Sequence, residues 1–507
     1  MEHEGARRSG DRPNARRDQP LFASDRQFVL VSDRTVGTPP TPDAGSSGSR
    51  RAHADQSRPL TSLDAASDVC VTPVGGERRP VAGETLPSSG RSAGDGAGCA
   101  TEPVVVPDAM VRGYRGFAAD VLRPLAHSAS DRVASPAGRW ESSRDVNDRV
   151  AATVSDLVSD EAIVWIADHH FASLARRLRP SLPDEAFLFQ HWPIPWPPWE
   201  TLRDSPHAEA IVRSLLDTDL VGFAVARDCD AFLHTADELV PGTSVDRDSS
   251  RIEYDGSPTA VRSIPEGVPV GRVDDLAVSR TVDGVVTRFR DAHGISADRP
   301  LVLLLDGPES ETGLTRCLRT LERAWSNAGL GRGAFTLVSL DERWGSASSR
   351  RSDAGGVSRA VERLNERFGT DDWQPVVTHA ERLAAGERYA LYRDAAVGVA
   401  TSVRGSGIPE TQEFVAAQSA DPGVLLVSSE TETSNRLERD TLTFSPFEAS
   451  SFVHRLDEGL HLGPQPRDEM MTDLARRVRA YDDETWLQCV TGVVRGLERR
   501  RAGEGPS

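Results

Sequence analysis

The sequence contains no lysine: all 59 of its basic side chains are arginine. Schiff-base chemistry, pyridoxal-type catalysis and Walker-type phosphate loops each need a lysine amine, so all three are excluded. Long apolar runs are missing too. No stretch approaches the ~20 residues that cross a bilayer, and the N-terminus is polar and arginine-rich, so neither a membrane span nor a Sec-type signal peptide is expected. Positive charge is in deficit: 77 acidic side chains against 59 basic ones give a formal net charge of −18. A nucleic-acid partner demands a basic face that replaces counterions, so none is expected. The cysteines Cys70, Cys99, Cys229, Cys317 and Cys489 are scattered and odd in number. With no CxxC or CxxxxC spacing, neither a zinc knuckle nor a disulfide framework is expected, and the reducing cytoplasm is the default compartment.

An acidic, lysine-free surface suits concentrated salt, where high net charge maintains solubility and screening weakens self-repulsion. A GC-rich genome that favours arginine codons is the alternative cause. At 507 residues the chain is long enough for two to four domains of roughly 100–200 residues, each with a real core.

Residues 1–20 are charged and rich in Pro and Arg, and read as a disordered tail. Residues 36–103 form a low-complexity insert, TPPTPDAGSSGSRR and later SSGRSAGDGAGCA, expected to be mostly loop or disorder. No repeat of fixed period is present. Elsewhere short apolar runs alternate with helix-period segments. The runs Phe28–Val31, Ala162–Ile166, Leu220–Phe223, Leu301–Leu305, Phe335–Val338, Val397–Ala400 and Val424–Val427 lack polar alternation, as strands covered on both faces do. Between them, Leu314–Asn327, Gly356–Phe368, Arg382–Ala395 and Pro409–Gln418 carry helical periodicity. This is an α/β pattern with parallel sheets. SIPEGVPVGR at Ser263–Arg272 interrupts it with two prolines and two glycines, and splits the folded part into two doubly wound lobes facing a cleft.

The densest chemistry lies in VWIADHHFASLARRLRP and FLFQHWPIPWPPWE. One strand ends at Asp168, His169 and His170, and the next at His191, the place where α/β folds put ligand contacts. These residues suit sugar or acid–base contact, a metal, or purely structural roles. Adjacent histidines on a strand end point to opposite sides, so one of the pair is expected at a given site. The WPIPWPPW segment suits a rigid apolar turn, a sugar-stacking edge, or both.

At this point the chain resembles the trehalose-6-phosphate synthases, retaining nucleotide-sugar glycosyltransferases of the GT-B fold. VWIADHHF resembles VWVHDYHL, and FLFQHWPIPWPPWE resembles FFLHIPFPSPE. VLVSDR at Val29–Arg34 is similar to VVVSNR, GYRGFAADVLRP at Gly113–Pro124 to YYNGFSNAVLWP, and DLVGFAVARDCDAFL to DLIGFQTxxDxxNFL. SIPEGV is similar to the linker FPIGID, and EFVAAQSADPGVLLVSS to EYVAAQDPxNPGVLVLS. The blocks are collinear across Gln27–Arg34 and Val104–Val494.

The resemblance implies two Rossmann-like lobes: an acceptor lobe over 21–265 and a nucleotide-sugar lobe over 266–465, with helices of 466–507 crossing back to the first. It implies glucose transfer from UDP-glucose or a similar donor to glucose 6-phosphate with retention, and neither metal nor cofactor. Homo-oligomerisation is compatible with the chain. Arg34, Tyr114 and Arg343 match acceptor-binding positions, and an arginine pair suits a phosphate dianion. Asp168 matches the sugar-binding aspartate and His191 the histidine of the catalytic region. The tryptophan of VLWP is Arg123 here.

The donor half departs from the pattern. DRLDYSKG, whose Arg and Lys hold the diphosphate, reads DGPESETG, with Gly307 and Thr312 at those positions. RDGMNLVAKE reads RGSGIPETQE, so the donor-facing aspartate is Gly405 and the asparagine Ile408. The ribose-binding glutamate survives as Glu413 and the opening arginine as Arg404. Each lost preorganised cation costs ~10²–10³ in rate, so two cost ~10⁴ or more if additive. Three readings stand: a working transferase, an impaired relative that binds a sugar phosphate as a regulatory or partner subunit, and a metal-assisted hydrolase built on Asp168 and the histidines.

Overall fold

Short runs of β-branched and aliphatic residues, bounded by turn-forming segments, assemble into two sheets in the computed structural model of the chain. The structure describes residues 26–33, 69–75, 100–127, 138–279, 282–305, 311–327, 333–340, 354–381, 383–403, 409–418, 421–431 and 440–501, with residues 133, 331 and 503.

The first sheet comprises β1 (Phe28–Val31), β2 (Val69–Gly75), β3 (Ala100–Val106), β4 (Ile163–Ile166), β5 (Phe187–Trp192), β6 (Leu220–Phe223), β7 (Ser244–Asp246), β8 (Arg251–Tyr254) and β9 (Ser257–Ser263). Their order is β3-β2-β1-β4-β5-β6-β9-β8-β7. It is parallel from β3 to β9 and ends in an antiparallel hairpin. Asp255 and Gly256, at φ 51° and 76°, supply the left-handed conformations a tight β8–β9 turn requires. The second sheet comprises β10 (Leu301–Leu304), β11 (Thr336–Ser339), β12 (Val376–Thr378), β13 (Val397–Ala400), β14 (Val424–Ser428) and β15 (Leu442–Phe444). It is wholly parallel, in the order β12-β11-β10-β13-β14-β15.

Strands β1, β4, β5, β6, β10 and β13 are buried at every position, because helices cover both sheet faces. Those used below are α1 (Asp108–Phe117), α2 (Arg139–Leu157), α3 (Glu311–Ser326), α4 (Ala385–Asp394), α5 (Pro409–Ala417), α6 (Pro464–Ala480) and α7 (Asp483–Arg501). In each sheet the winding reverses beside its first strand, between β1 and β4 and between β10 and β13. Crevices beyond the carboxyl ends of strands at such reversals are where doubly wound folds bind ligands.

Two expectations are corrected. The insert is more than loop: its middle supplies β2 and its C-terminal end enters β3, and β2 pairs with β1 through Val69–Val71. The run VCVTPVG is short and contains Pro73, so it carries little strand signal by itself. Pro73 lies beyond the β1 pairing, and Pro103 lies on the edge strand β3, positions where a missing N–H is tolerated. The 1–20 tail and most of the insert lie outside the described residues. The expectation of unpaired thiols fails at Cys70, which is disulfide-bonded, whereas Cys229, Cys317 and Cys489 are free.

The C-terminal helices divide between the lobes. On α6, Met471, Leu474 and Val478 pack into the core of the second sheet. On α7, Trp486, Leu487, Val490 and Val494 join Phe28, Leu30, Trp165 and Phe189 of the first. The crossover touches the interlobe linker, where the Asp483 amide donates to Val268 O at 3.1 Å. Gly267 leaves no room there: a Cβ would sit 2.2 Å from Asp482 O. Trp486 meets Trp165 edge-on at 5.6 Å. Trp486→Ala is therefore expected to destabilise the protein by about 3–5 kcal/mol, read as a lower urea midpoint at unchanged slope.

Candidate functional site

The first winding reversal brings two carboxylates together. β1 runs into Asp33 and β4 into Asp168, both buried. Asp168 has extended backbone (φ −149°, ψ 146°) and caps a one-turn 3₁₀ segment, His169–Phe171. Its Oδ1 accepts from the His170 amide at 3.2 Å and from His170 Nδ1 at 2.7 Å, and His169 Nδ1 lies 2.9 Å from the same oxygen. The expectation that adjacent histidines point to opposite sides is thus corrected. The strand ends at Ile166, and the turn that follows folds both rings onto one carboxylate.

Burial alone would raise the Asp168 carboxyl; the His170 and His169 imidazoles outweigh it and hold the group well below the usual carboxylate range. Burial raises Asp33, opposed by His170 and by Arg115. Burial and the neighbouring His170 push His169 down, and Arg123 acts in the same direction, so His169 is a neutral imidazole near pH 7. Arg123 follows a π-helical turn, Ala118–Leu122, a helical irregularity common at functional sites.

Around this centre α1 supplies Tyr114, fully buried, with its ring 5.5 Å from that of His170 and 5.9 Å from that of Phe171. The next residue, Arg115, bonds Asp33 through Nε at 3.1 Å and Nη2 at 3.4 Å. Sequence reasoning missed this pair, although the signal was present. Where the resembling motifs VVVSNR and YYNGF each carry asparagine, this chain has Asp33 and Arg115, two changes that answer one another in space.

His191, on β5, is buried with Nε2 3.3 Å from Ile264 O and Nδ1 3.5 Å from Glu266 Oε1. Both oxygens belong to the interlobe linker. The Glu266 carbonyl accepts from Gln412 Nε2 on α5 at 3.4 Å, so the linker joins His191 to the other lobe. Arg34 and Arg343 lie outside the described residues, and the geometry here concerns Tyr114, Asp168 and His191.

In the second lobe, Glu413 lies in α5 beyond the carboxyl end of β13 and is almost wholly buried. It accepts from Tyr389 Oη at 3.1 Å and has Arg388 Nη2 3.6 Å from Oε2. Arg404, Gly307, Gly405 and Ile408 lie outside the described residues. Thr312 falls in the first turn of α3, whose Gly313 backs directly onto Thr401 at the end of β13.

The tryptophan-rich turn is core and not a stacking edge at Trp192 and Trp196. Both are buried; Trp196 packs against Phe223 and Phe232 and donates to Thr235 Oγ1 at 3.1 Å. Among the described residues, Asp168, His169 and His170 offer donor atoms within 4.8 Å of one another, close enough to share a metal. As arranged, His170 Nδ1 hydrogen-bonds Asp168 Oδ1 at 2.7 Å, which gives it a proton where a metal would need a lone pair. The arrangement holds both imidazoles against one carboxylate oxygen.

This geometry meets known proteins at the level of sequence and fold. A trehalose-6-phosphate synthase of Mycobacterium bovis is 27% identical over 403 residues, covering 77% of this chain and 79% of its own length. The crystal structure of a UDP-forming alpha,alpha-trehalose-phosphate synthase from Burkholderia vietnamiensis superposes with a TM-score of 0.77 at 22% identity, covering 93% of this chain and 100% of that one. Its counterpart from Burkholderia xenovorans, in complex with glucose-6-phosphate, gives 0.75 at 21% identity, covering 92% and 100%. These superpositions show a shared fold, with two Rossmann-like lobes. The profile of glycosyltransferase family 20 matches residues 87–495, most of the chain, and to that family the chain belongs.

Proposed function

We propose that this chain is a hexosyltransferase that moves glucose from a nucleotide sugar, UDP-glucose foremost, onto glucose 6-phosphate with retention, forming trehalose 6-phosphate. The observation that carries the reading is the cluster at the first winding reversal: Asp168 bracing His169 and His170, beside Tyr114 and the Asp33–Arg115 pair. It lies in a chain of family 20, and one relative of this fold is known in complex with glucose-6-phosphate. In this reading ionised Asp168 accepts from acceptor or donor hydroxyls, Tyr114 shapes the acceptor pocket, and Arg34 and Arg343 hold the phosphate. His191, fixed by two linker oxygens, contacts the donor sugar from the acceptor side. Glu413 takes the ribose, and Arg404 offers the departing diphosphate a cation where Gly307 and Thr312 offer none.

The net charge of −18 without lysine supports work in a high-salt cytoplasm, where salt screens self-repulsion. No helix among the described residues is long and apolar enough to cross a membrane.

The test is product formation from glucose 6-phosphate with UDP-, ADP- or GDP-glucose in concentrated KCl. A phosphorylated non-reducing disaccharide with release of one nucleoside diphosphate is the expected result. If no donor releases diphosphate above the level without glucose 6-phosphate, the transferase reading fails.

A further inference from the structure

The donor lobe carries a cation that none of the resembling motifs contains. Arg388 sits in the first turn of α4, and Glu413 in the second turn of α5. Both helices start at the carboxyl edge of the second sheet, the ligand side of a doubly wound fold. Gln412, next to Glu413, reaches the linker at Glu266 O, and Glu266 in turn faces His191, so this turn of α5 borders the cleft.

The contact between the two is unfinished. Arg388 Nη2 stands 3.6 Å from Glu413 Oε2, with the arginine side chain 31% exposed and the glutamate 1%. That distance is an ion pair but not a hydrogen bond. Arg388 Nε is buried and has no hydrogen-bond partner among the described residues. A guanidinium has five N–H donors in a fixed plane. Here it keeps its place over the Tyr389 ring, 5.4 Å from the centroid, without spending those donors on the carboxylate. Buried polar groups left this way call for a partner.

We propose that Arg388 and Glu413 together form a clamp for a vicinal diol, the 2′- and 3′-hydroxyls of the donor's ribose. Each hydroxyl is both donor and acceptor: Glu413 accepts their protons, and Arg388 donates to their oxygens. Tyr389 Oη holds the carboxylate in place at 3.1 Å. The assignment rests on the nucleotide-sugar reading above, and makes Arg388 a donor-binding residue that selects ribonucleotides. It also moves part of the donor's binding energy from the diphosphate, where two cations are gone, to the ribose.

The test measures binding of UDP, ADP and GDP, each against its 2′-deoxy analogue, to wild type, Arg388→Met and Arg388→Lys. Glucose 6-phosphate affinity serves as the check that each variant is folded. Wild type is expected to prefer the ribonucleotide by about tenfold or more, the worth of one hydrogen bond to a charged group. Arg388→Met is expected to shrink that preference by weakening the ribonucleotide more than its 2′-deoxy analogue, and Arg388→Lys to recover part of it. Equal ribonucleotide affinity in wild type and Arg388→Met would overturn the clamp and leave the transferase reading standing. If wild type binds glucose 6-phosphate but no nucleoside diphosphate, the nucleotide-sugar reading falls and the clamp with it.

Discussion

Asp168→Asn is expected to lower hexosyl transfer by about 10³-fold at pH 7, the upper range for removing one preorganised electrostatic group, and to destabilise the fold by about 2–4 kcal/mol. The stability loss follows from the geometry. One buried oxygen serves the His170 amide and ring and lies 2.9 Å from the His169 ring, and a buried group left without its charged partner costs several kcal/mol. Asparagine keeps an acceptor for the cap but loses the charge that both imidazoles face.

The pH dependence has a definite sign. The Asp168 carboxyl is held well below its ordinary value of 3.8 in the folded protein. Its contribution is therefore fully present above about pH 4 and is lost as pH falls through the folded value. The stability gap between wild type and Asp168→Asn should be flat from pH 7 to about pH 5 and close below about pH 4. Asp33, raised by burial, works in the opposite sense, since its proton is held more tightly folded than unfolded. Urea unfolding of both proteins across this range measures the gap. A gap that widened on acidification would contradict the assignment of charge.

Gly313→Ala should produce the second large effect. A Cβ at this position would stand 1.8 Å from Thr401 O and 2.7 Å from its carbonyl carbon. Both are backbone atoms at the end of β13, so no side chain can swing aside. The first turn of α3 presses against β13 where the donor half of the cleft begins, and separating them displaces both. Overpacking usually costs about 1–3 kcal/mol and more where backbone must shift, so a loss of about 3 kcal/mol or more is expected. Nucleotide affinity should fall with it, while glucose 6-phosphate affinity, which the proposed function places in the other lobe, should persist. Gly496→Ala, on α7 with nothing within 4 Å, is the matched control and should be neutral or stabilising, as alanine is the better helix former. Equal stability of Gly313→Ala and wild type would contradict the packing.

What could be read from the residues beforehand follows the physics of each signal. Strands such as FVLV, IVWI and LVLL announce themselves because burial on both faces demands uniform apolarity. β2 and β3 did not, since prolines and glycines surround them, β2 pairs with β1 far away in sequence, and β3 pairs with β2. That Asp168 and His191 stand at strand ends could be read from the sequence. The joint turn of His169 and His170 onto Asp168 could not, because it depends on where β4 stops. Arg115, Glu266 and Arg388 were passed over for a common reason. Each gains meaning from a partner distant in the chain: Asp33, His191 and Glu413 respectively.

Calorimetric titration in multimolar KCl, with glucose 6-phosphate first and UDP-glucose second, bears most directly on the proposal that the chain keeps both halves of a transferase site. Saturable binding of both is predicted, with the nucleotide sugar still held although Gly307 and Thr312 stand where the resembling motif has Arg and Lys. Binding of glucose 6-phosphate alone, with no heat from UDP-glucose or other nucleotide sugars, would contradict it.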